Sequence, residues 1–208
     1  LERQLCEWFS KKLGLGSLSG GVAASGGSLS NLMALVIARN ISGLDSDPNA
    51  VFFASEDSHV SLSKAVRIMG LNHDSFKKIP TDENGELNIS VLSSRFKKLR
   101  SEGKRCFAVV ATAGTTVRGA LDPLTEIGEF CQKENIWLHV DGAIGAIFGL
   151  SRITSDLLEG LSFSNSITVN PQKLLGIPKT SSLLLLADKS YLSSVFSTGL
   201  PYAEPVTG

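Results

Sequence analysis

The sequence lacks an excess of charge of either sign, because 20 Lys and Arg residues balance 20 Asp and Glu residues. Proteins that bind nucleic acid or an anionic membrane surface by electrostatics usually show a basic balance with clustered Lys and Arg. The chain also has no internal repeat and no low-complexity tract. We therefore expect partners other than nucleic acid or membrane.

Cysteine is scarce as well, with three residues, Cys6, Cys106 and Cys131, placed far apart in apolar segments. An odd number with this spacing is typical of buried reduced thiols and argues against a disulfide framework or a metal cluster. No apolar run approaches the ~20 residues that span a bilayer, and the first residues lack the layout of a signal peptide. These features predict a reducing compartment, the cytoplasm.

The chain does have the length for one domain with a sizeable core, since it contains 208 residues. It opens on LERQLCEWFSKKLG, which has the pattern of an amphipathic helix entered partway. It stops in GLPYAEPVTG, which has the composition of a loop. We expect residues 1–208 to be a fragment of a longer protein.

Apolar, β-rich runs alternate with helical patterns along the chain. The predicted strands are VFFASE (51–56), a short strand around SFKKIP, CFAVVATAG (106–114), IWLHVD (136–141), SITVN and SSLLLLA, interpreted as strands without polar alternation. Ser28 is placed to cap the helix SLSNLMALVIARNI, and Asp122 and Pro123 are placed to start the helix that follows them. This order predicts an α/β fold with a mostly parallel sheet flanked by helices.

Ligands of such sheets bind at the carboxyl ends of the strands, and four polar clusters fall at strand ends or helix starts. They are ASGGSLSN (24–31), SEDSHVSLSK (55–64), HVDGA (139–143) and NPQK (170–173). A Gly-Gly-Ser turn before a helix offers backbone N–H groups and the positive end of the helix dipole to a phosphate. The turn matches neither nucleotide-binding glycine motif, and by itself it is more typical of a plain capped helix.

The other side chains in these clusters also have ordinary explanations when each is taken alone. Asp141 ends a strand on the same side as His139, and a helix cap or a salt bridge would explain it. A metal site from that pair lacks a third ligand at a suitable spacing. His59 could be a surface or capping residue, and Lys173 a lysine that extends its ammonium to water.

Together, however, the four clusters supply the parts that hold pyridoxal phosphate: a phosphate turn, an imidazole, a carboxylate and a lysine. A lysine amine forms a Schiff base with the cofactor aldehyde. An aspartate keeps the ring nitrogen protonated, so that the ring can accept electrons. The combination favours Lys173 as the covalent anchor and Asp141 as the partner of the ring nitrogen.

Five segments resemble, in order and spacing, the group II pyridoxal-phosphate-dependent amino acid decarboxylases, which include glutamate, cysteine sulfinate and aromatic amino acid decarboxylases. The segments are ASGGSLSNLMAL, SHVSLSKAVRIMGL, VVATAGTTVRGALDPLTEI, WLHVDGAIGA and ITVNPQKLLGIPKTSSLLL. The resemblance implies the aspartate-aminotransferase-like fold (fold type I), with residues 1–208 supplying most of the large cofactor-binding domain. It also implies decarboxylation of a small amino acid substrate by a homodimer with the active site at the subunit interface.

The same resemblance implies roles for individual residues. Lys173, Asp141 and His59 match the Schiff-base lysine, the partner of the ring nitrogen and the histidine that stacks on the ring. The residues expected near the phosphate, the phenolic oxygen or the ring are Gly27, Ser28, Ser166, Asn170, Thr112 and Ala143. Tyr202 is the candidate for the tyrosine that delivers a proton to the substrate Cα.

Two positions depart from the family pattern. Gln172 precedes the lysine where the family usually has His, and it keeps a hydrogen-bond donor for the phosphate but carries no charge. The segment DGAIGA has Gly142 and Ile144 where the family usually has Ala and an aromatic residue, which changes the floor of the pocket.

Two other functions stay open at this point. One is a different pyridoxal-phosphate reaction on the same fold, such as transamination or carbon–sulfur cleavage. The other is a truncated, non-catalytic relative that serves as an interaction module, because the active sites of the family borrow residues from a partner subunit. These 208 residues do not identify the substrate amino acid.

Overall fold

One seven-stranded sheet organises the chain in the computed structural model, which describes residues 1–179 and 181–197. The strands are β1 (Gly20–Ala24), β2 (Ala50–Ser55), β3 (Phe76–Ile79), β4 (Arg105–Thr112), β5 (Trp137–Asp141), β6 (Ser166–Val169) and β7 (Ser182–Leu186). The α-helices in the described residues are α1 (Glu2–Lys12), α2 (Gly27–Ile41), α3 (Ser61–Ile68), α4 (Ile89–Ser101), α5 (Leu124–Glu134) and α6 (Ser190–Phe196). Short 3₁₀ turns occupy His73–Ser75, Gly145–Leu150, Ser155–Leu158 and Leu161–Phe163. Among the described helices, none is long and apolar enough to cross a membrane.

The strand order is β1-β7-β6-β5-β4-β2-β3. Strands β3, β2, β4, β5 and β6 pair in parallel, and β7 runs antiparallel to both β6 and β1. Strand β1 therefore points the same way as the five parallel strands. The predicted α/β fold with a mostly parallel sheet is confirmed.

Strand β1 was not among the predicted strands, because its sequence GGVAA contains residues that are poor strand formers. The structure explains one of its glycines by a close approach to β7. A Cβ atom at Gly21 would lie 2.3 Å from the backbone oxygen of Leu184. The strand is thus held by its pairing with β7 and not by its own propensity.

Helices cover both faces of the sheet, and the two faces differ in chemistry. Register pairs Thr112 with Asp141 and Asp141 with Thr168, and two residues earlier it pairs His139 with Ser166. These five residues lie on the side that α2 covers, and we call the patch that they form the polar face. Elsewhere on that side, apolar residues such as Ala108, Val110 and Leu184 form a second buried cluster with α2. The apolar face lies against α1, α4 and α5, and its central residues are Val109, Ala111, Leu138, Val140, Ile167 and Val169.

This pattern corrects the prediction that the strands show no alternation. In β5 and β6, polar and apolar residues do alternate, yet every residue of both strands is buried. Alternation usually marks a strand with one face in water. Here it marks a strand whose polar face is buried under a helix.

Two predicted helix caps are wrong. Helix α2 begins at Gly27 after an N-cap at Gly26, so Ser28 lies inside the first turn. Asp122 does not cap α5, whose N-cap is Pro123. Instead the Asp122 carboxylate accepts hydrogen bonds from the backbone N–H groups of Leu87 (2.8 Å) and Thr112 (2.7 Å). It joins the end of β4 to a distant loop, and burial raises its pKa to about 6.

Candidate active site

A cavity of about 240 Å³ lies beyond the carboxyl ends of β1, β2, β4, β5 and β6. Parallel strands place their carboxyl ends at one edge of a sheet, so segments far apart in sequence meet there. The predicted site residues that line this cavity are Gly27, Ser28, His59, Thr112, Asp141, Ala143, Asn170, Gln172 and Lys173.

The start of α2 forms one end of the cavity. The N–H groups of Leu29 (2.9 Å) and Ser30 (3.1 Å) donate to the Gly26 oxygen. The N–H groups of Gly27 and Ser28 come too early in the helix to have an acceptor within it. A Cβ atom at Gly27 would lie 2.8 Å from Asn170 Nδ2, so only glycine allows this approach. Free N–H groups at the positive end of a helix fit a phosphate.

Two amides stand beside this end of the cavity. Asn170 Oδ1 accepts a hydrogen bond from Ser182 Oγ at 2.6 Å, and Gln172 Oε1 accepts one from the Ser181 N–H at 2.8 Å. Each amide oxygen is therefore engaged by the protein. The amide NH₂ groups are the parts that remain to donate to an anion.

Asp141 lies at the end of β5 with only 5% of its surface exposed. Its Oδ2 accepts a hydrogen bond from Asn31 Nδ2 at 2.7 Å, and its Oδ1 accepts one from the Ala143 N–H at 3.2 Å. A buried carboxylate is costly unless such donors satisfy it. These two contacts hold the carboxylate at the wall of the cavity.

Thr112 supplies a direct sign that the cavity is built for a ligand. Its Oγ1 is buried and has no hydrogen-bond partner among the residues that the structure describes. Buried hydroxyls are rarely left unpaired in a protein alone. A hydroxyl at this position fits the phenolic oxygen of pyridoxal phosphate, so the cavity has groups for the phosphate, the ring oxygen and the ring nitrogen.

His59 follows β2, and its ring is fixed on one side. The Ser61 N–H donates to His59 Nδ1 at 3.2 Å, and Ser61 Oγ lies 2.9 Å from the same nitrogen. Because a backbone N–H can only donate, Nδ1 must accept. The proton of the neutral ring is therefore on Nε2.

Lys173 lies on the turn after β6, where its backbone N–H donates to the Asn170 oxygen at 3.0 Å. Its side chain is exposed and borders the same cavity as Asp141. Within the described part of the chain, its amine has no hydrogen bond or ion pair. The amine is thus free for the carbonyl chemistry that the sequence predicts.

One predicted site residue in the described part of the chain is not brought to the cavity. Ser166 begins β6, at the end of the strand remote from the cavity, about 13 Å from Asn170 by the rise of a strand. Its Oγ accepts a hydrogen bond from Trp137 Nε1 and pairs with His139 Nδ1, both at 2.8 Å. The expected contact of Ser166 with the phosphate is therefore wrong. Tyr202 lies outside the described residues and stays a prediction.

Sequence reasoning missed a polar network beneath the cavity. Asn31, on the inner side of α2, bonds Asp141, Ser61, His139 and Thr168. Asn31 stands one helical turn after the glycine turn, and that spacing is the only signal in the sequence. Burial lowers the pKa of His139, a member of this network, to about 4. Among the described residues, no group of three His, Cys, Asp or Glu could hold a metal ion.

A larger hollow, of about 880 Å³, lies between α3 and α4 beside β3. Its walls combine apolar side chains with basic ones such as Lys64, Arg67 and Lys98. It lies away from the carboxyl ends of the parallel strands, so size alone does not identify the reactive site. The smaller cavity is the candidate because of its chemistry.

Comparison with known proteins agrees with this chemistry. Residues 2–205 match the family model described as the pyridoxal-dependent decarboxylase conserved domain. The chain is 36% identical over 196 residues to an aromatic-L-amino-acid decarboxylase of Bacillus atrophaeus. The matched region covers 94% of this chain and 41% of that protein. It is 39% identical over 179 residues to a cysteine sulfinic acid decarboxylase of Rattus norvegicus, which covers 83% of this chain and 36% of that protein.

Among solved structures, that of mouse CSAD superposes with a TM-score of 0.90 at 35% identity, over 95% of this chain and 43% of that one. The chain therefore spans about two fifths of the length of the relatives that it matches.

Proposed function

This chain belongs to the pyridoxal-dependent decarboxylase family, and from that membership we propose that it forms the cofactor-binding part of an enzyme that removes CO₂ from an L-amino acid. The curated relatives are named for different substrates, aromatic amino acids and cysteine sulfinic acid. The proposal is therefore made for the class of L-amino acids and not for one member.

The observation that carries the proposal is the meeting of Lys173, Asp141 and the Thr112 hydroxyl at one cavity, the hydroxyl having no partner within the described residues. Each of these residues follows or ends a different parallel strand. An amine, a carboxylate and a lone hydroxyl around one cavity match the three reactive parts of a pyridoxal ring. None of the three has that meaning alone.

Pyridoxal phosphate, when bound, supplies a ring that accepts the electron pair released when a bond to the substrate Cα breaks. In this chain, Lys173 is the residue to hold the cofactor aldehyde, and the start of α2 with Asn170 and Gln172 is the place for the phosphate. Thr112 would donate to the phenolic oxygen.

Asp141 has the central electrostatic role, because a buried carboxylate held by Asn31 and Ala143 can keep a proton on the ring nitrogen. His59 borders the same cavity with its Nε2–H unoccupied by the Ser61 contacts. This donor is suited to orient the carboxylate of the substrate, the group that is to be lost.

The proposal includes a homodimer with the active site at the subunit interface and a cytoplasmic location. The first is supported by exposed apolar side chains directly after Lys173, namely Leu174 (52%), Leu175 (44%) and Ile177 (44%). Such groups beside a polar cavity are typical of a surface that a partner covers. The second is supported by Cys6, Cys106 and Cys131, which are all free.

Light scattering of the complete protein tests the homodimer, and the mass of a monomer would contradict it. Fractionation of cells that express the protein tests the location. Recovery outside the cytoplasmic fraction would refute that part of the proposal.

The variant Lys173→Ala tests the function. We expect the complete protein, purified with pyridoxal phosphate, to show visible absorbance of bound cofactor and to release labelled CO₂ from carboxyl-labelled amino acids. Lys173→Ala should lose both, because no other amine lines the cavity within the described residues.

The matched control is Lys179→Ala, which removes an exposed lysine from the same loop but not from the cavity wall. It should keep the absorbance and the activity. A Lys173→Ala protein that retains cofactor absorbance would show that the anchor is wrong. Keto acid in place of CO₂ would show transamination.

A further inference from the structure

The side-chain amide of Asn31 has all of its hydrogen-bonding capacity in use. Its Nδ2 donates to Asp141 Oδ2 at 2.7 Å and to Ser61 Oγ at 3.0 Å. Its Oδ1 accepts from Thr168 Oγ1 at 2.7 Å and pairs with His139 Nε2 at 3.1 Å. An amide has two donor hydrogens and two acceptor lone pairs, so none is left over.

The orientation of this amide follows from its neighbours. The carboxylate of Asp141 can only accept, so the NH₂ group must face it. The oxygen then faces the Thr168 hydroxyl and His139 on the other side. Because Asn31 is 1% exposed, water does not compete for these bonds.

Through these bonds Asn31 reaches two separate groups at the cavity. It touches Asp141 directly, and it touches His59 through Ser61, whose Oγ lies 2.9 Å from His59 Nδ1. On the inner side it is anchored to β5 by His139 and to β6 by Thr168. One amide thus connects the floor of the sheet to both the carboxylate and the imidazole.

We propose that Asn31 is a positioning residue, which sets the carboxylate of Asp141 and, through Ser61, the imidazole of His59 in the arrangement that binds the cofactor. The inference rests on the proposed function, because it concerns the same cavity. Asn31 acts through other residues and is not itself assigned a chemical step.

An amide suits this position because it donates on one side and accepts on the other. An aspartate here would keep the acceptor for Thr168 and His139 but would turn a second carboxylate towards Asp141. Two adjacent carboxylates repel each other and favour a shared proton. Aspartate therefore preserves the shape but removes the NH₂ group that donates to Asp141 and Ser61, which separates positioning from packing.

The test compares Asn31→Asp and Asn31→Ala in the complete protein, with the dissociation constant of pyridoxal phosphate measured from its visible absorbance. We expect Asn31→Asp to weaken binding by about tenfold or more, since a buried acceptor loses its donor. Its binding should also become dependent on pH as the two carboxyl groups titrate together. Asn31→Ala should weaken binding by about tenfold.

The matched control is Asn165→Ala, which removes an amide at the other end of the sheet, where Asn165 Oδ1 accepts a hydrogen bond from the Leu138 N–H. It should bind cofactor like the parent protein. If packing were the role of Asn31, the isosteric Asn31→Asp would bind within twofold of the parent while Asn31→Ala lost stability. That outcome would overturn the proposal.

If Asn31→Asp fails to fold, Ser61→Ala decides, because it removes only the hydroxyl between Asn31 and His59. We expect about threefold weaker cofactor binding from it, as for one lost hydrogen bond, and unchanged binding would overturn the proposal. If the parent protein itself binds no pyridoxal phosphate, the proposed function fails, and this inference fails with it.

Discussion

Strands β5 and β6 each present two faces, and in these two strands the faces follow opposite rules. On the apolar face, residues such as Leu138, Val140 and Ile167 are fully buried against α1, α4 and α5. On the polar face, their neighbours His139, Asp141 and Thr168 are equally buried. One residue along a strand is therefore enough to pass from packing to hydrogen bonding.

The difference shows where the sheet is held together and where its chemistry is prepared. The apolar face gains stability by removing hydrocarbon from water, with little demand on orientation. The polar face contributes less to stability, because each buried polar group loses its hydrogen bonds to water on folding. In return, a satisfied network fixes each side chain in one orientation, and a cofactor site requires this.

The strongest way to break the comparison is Asp141→Asn on the polar face. We expect folding to be retained and kcat/KM to fall about a thousandfold, or about 4 kcal/mol of transition-state stabilisation, since the amide cannot hold a proton on the ring nitrogen. Steady-state kinetics of the cofactor-loaded protein measure this effect. Near-normal turnover would remove the electrostatic role from Asp141.

Leu138→Ala on the apolar face is the matched control for that variant. A buried Leu→Ala change costs about 3 kcal/mol of stability through lost contacts and the cavity left behind. It should lower the midpoint of urea unfolding while the dissociation constant of pyridoxal phosphate stays close to that of the parent. Its kcat/KM should also stay close to that of the parent, and a fall as large as that of Asp141→Asn would mean that the faces are not separate in function.

The sequence predicts those features of the fold that depend on neighbouring residues better than those that depend on distant ones. Apart from β1, the strands and the order of elements follow from local pattern, because apolar runs and helical spacing act over short distances. The sequence GGVAA of β1 lacks such a pattern, and its pairing with β7 makes it a strand. The Asp122 cap was predicted wrongly because its carboxylate binds the backbone N–H groups of Leu87 and Thr112, which lie 35 and 10 residues away in the sequence. The Ser28 cap was predicted wrongly because α2 begins one residue earlier, at Gly27.

The candidate site was predicted where one residue type has one chemical use, as with Lys173 and Asp141. The network around Asn31 was not predicted, because Asn31, Ser61 and Thr168 are ordinary polar residues until the fold brings them together. Ser166 failed for the same reason, as its partners are Trp137 and His139. Residues defined by their partners cannot be assigned from the sequence of one chain.

The pH dependence of stability sharpens the comparison with a smaller effect. Burial lowers the pKa of His139 to about 4, against an ordinary value of 6.5. Between these values the unfolded chain binds more protons than the folded one, so the contribution of His139 is full above pH 6.5 and declines as the pH falls towards 4. The expected loss between pH 8 and pH 5 is about 2 kcal/mol.

Asp122 acts in the opposite direction, since burial raises its pKa to about 6 and the folded chain then binds the extra proton. Comparison of the parent with His139→Gln at each pH isolates the histidine, because Asp122 is present in both. The parent's unfolding free energy minus that of His139→Gln should decrease by about 2 kcal/mol from pH 8 to pH 5. A difference for His139→Gln that stays constant from pH 8 to pH 5 would contradict the burial argument.

The smallest expected effect comes from removing a hydroxyl from Thr168 in β6, compared with adding one at its neighbour Val169. Thr168→Val keeps the shape and removes the hydrogen bond to Asn31 Oδ1, which retains its contact with His139, so we expect a loss of about 1 kcal/mol. Val169→Thr places a hydroxyl on the apolar face and should cost more, about 2 kcal/mol, because Val169 lies in a cluster of buried apolar side chains. Urea unfolding measures both. If the two variants lost the same unfolding free energy, the two faces would tolerate changes at a hydroxyl equally. The proposed difference between hydrogen bonding on one face and apolar packing on the other would then be wrong.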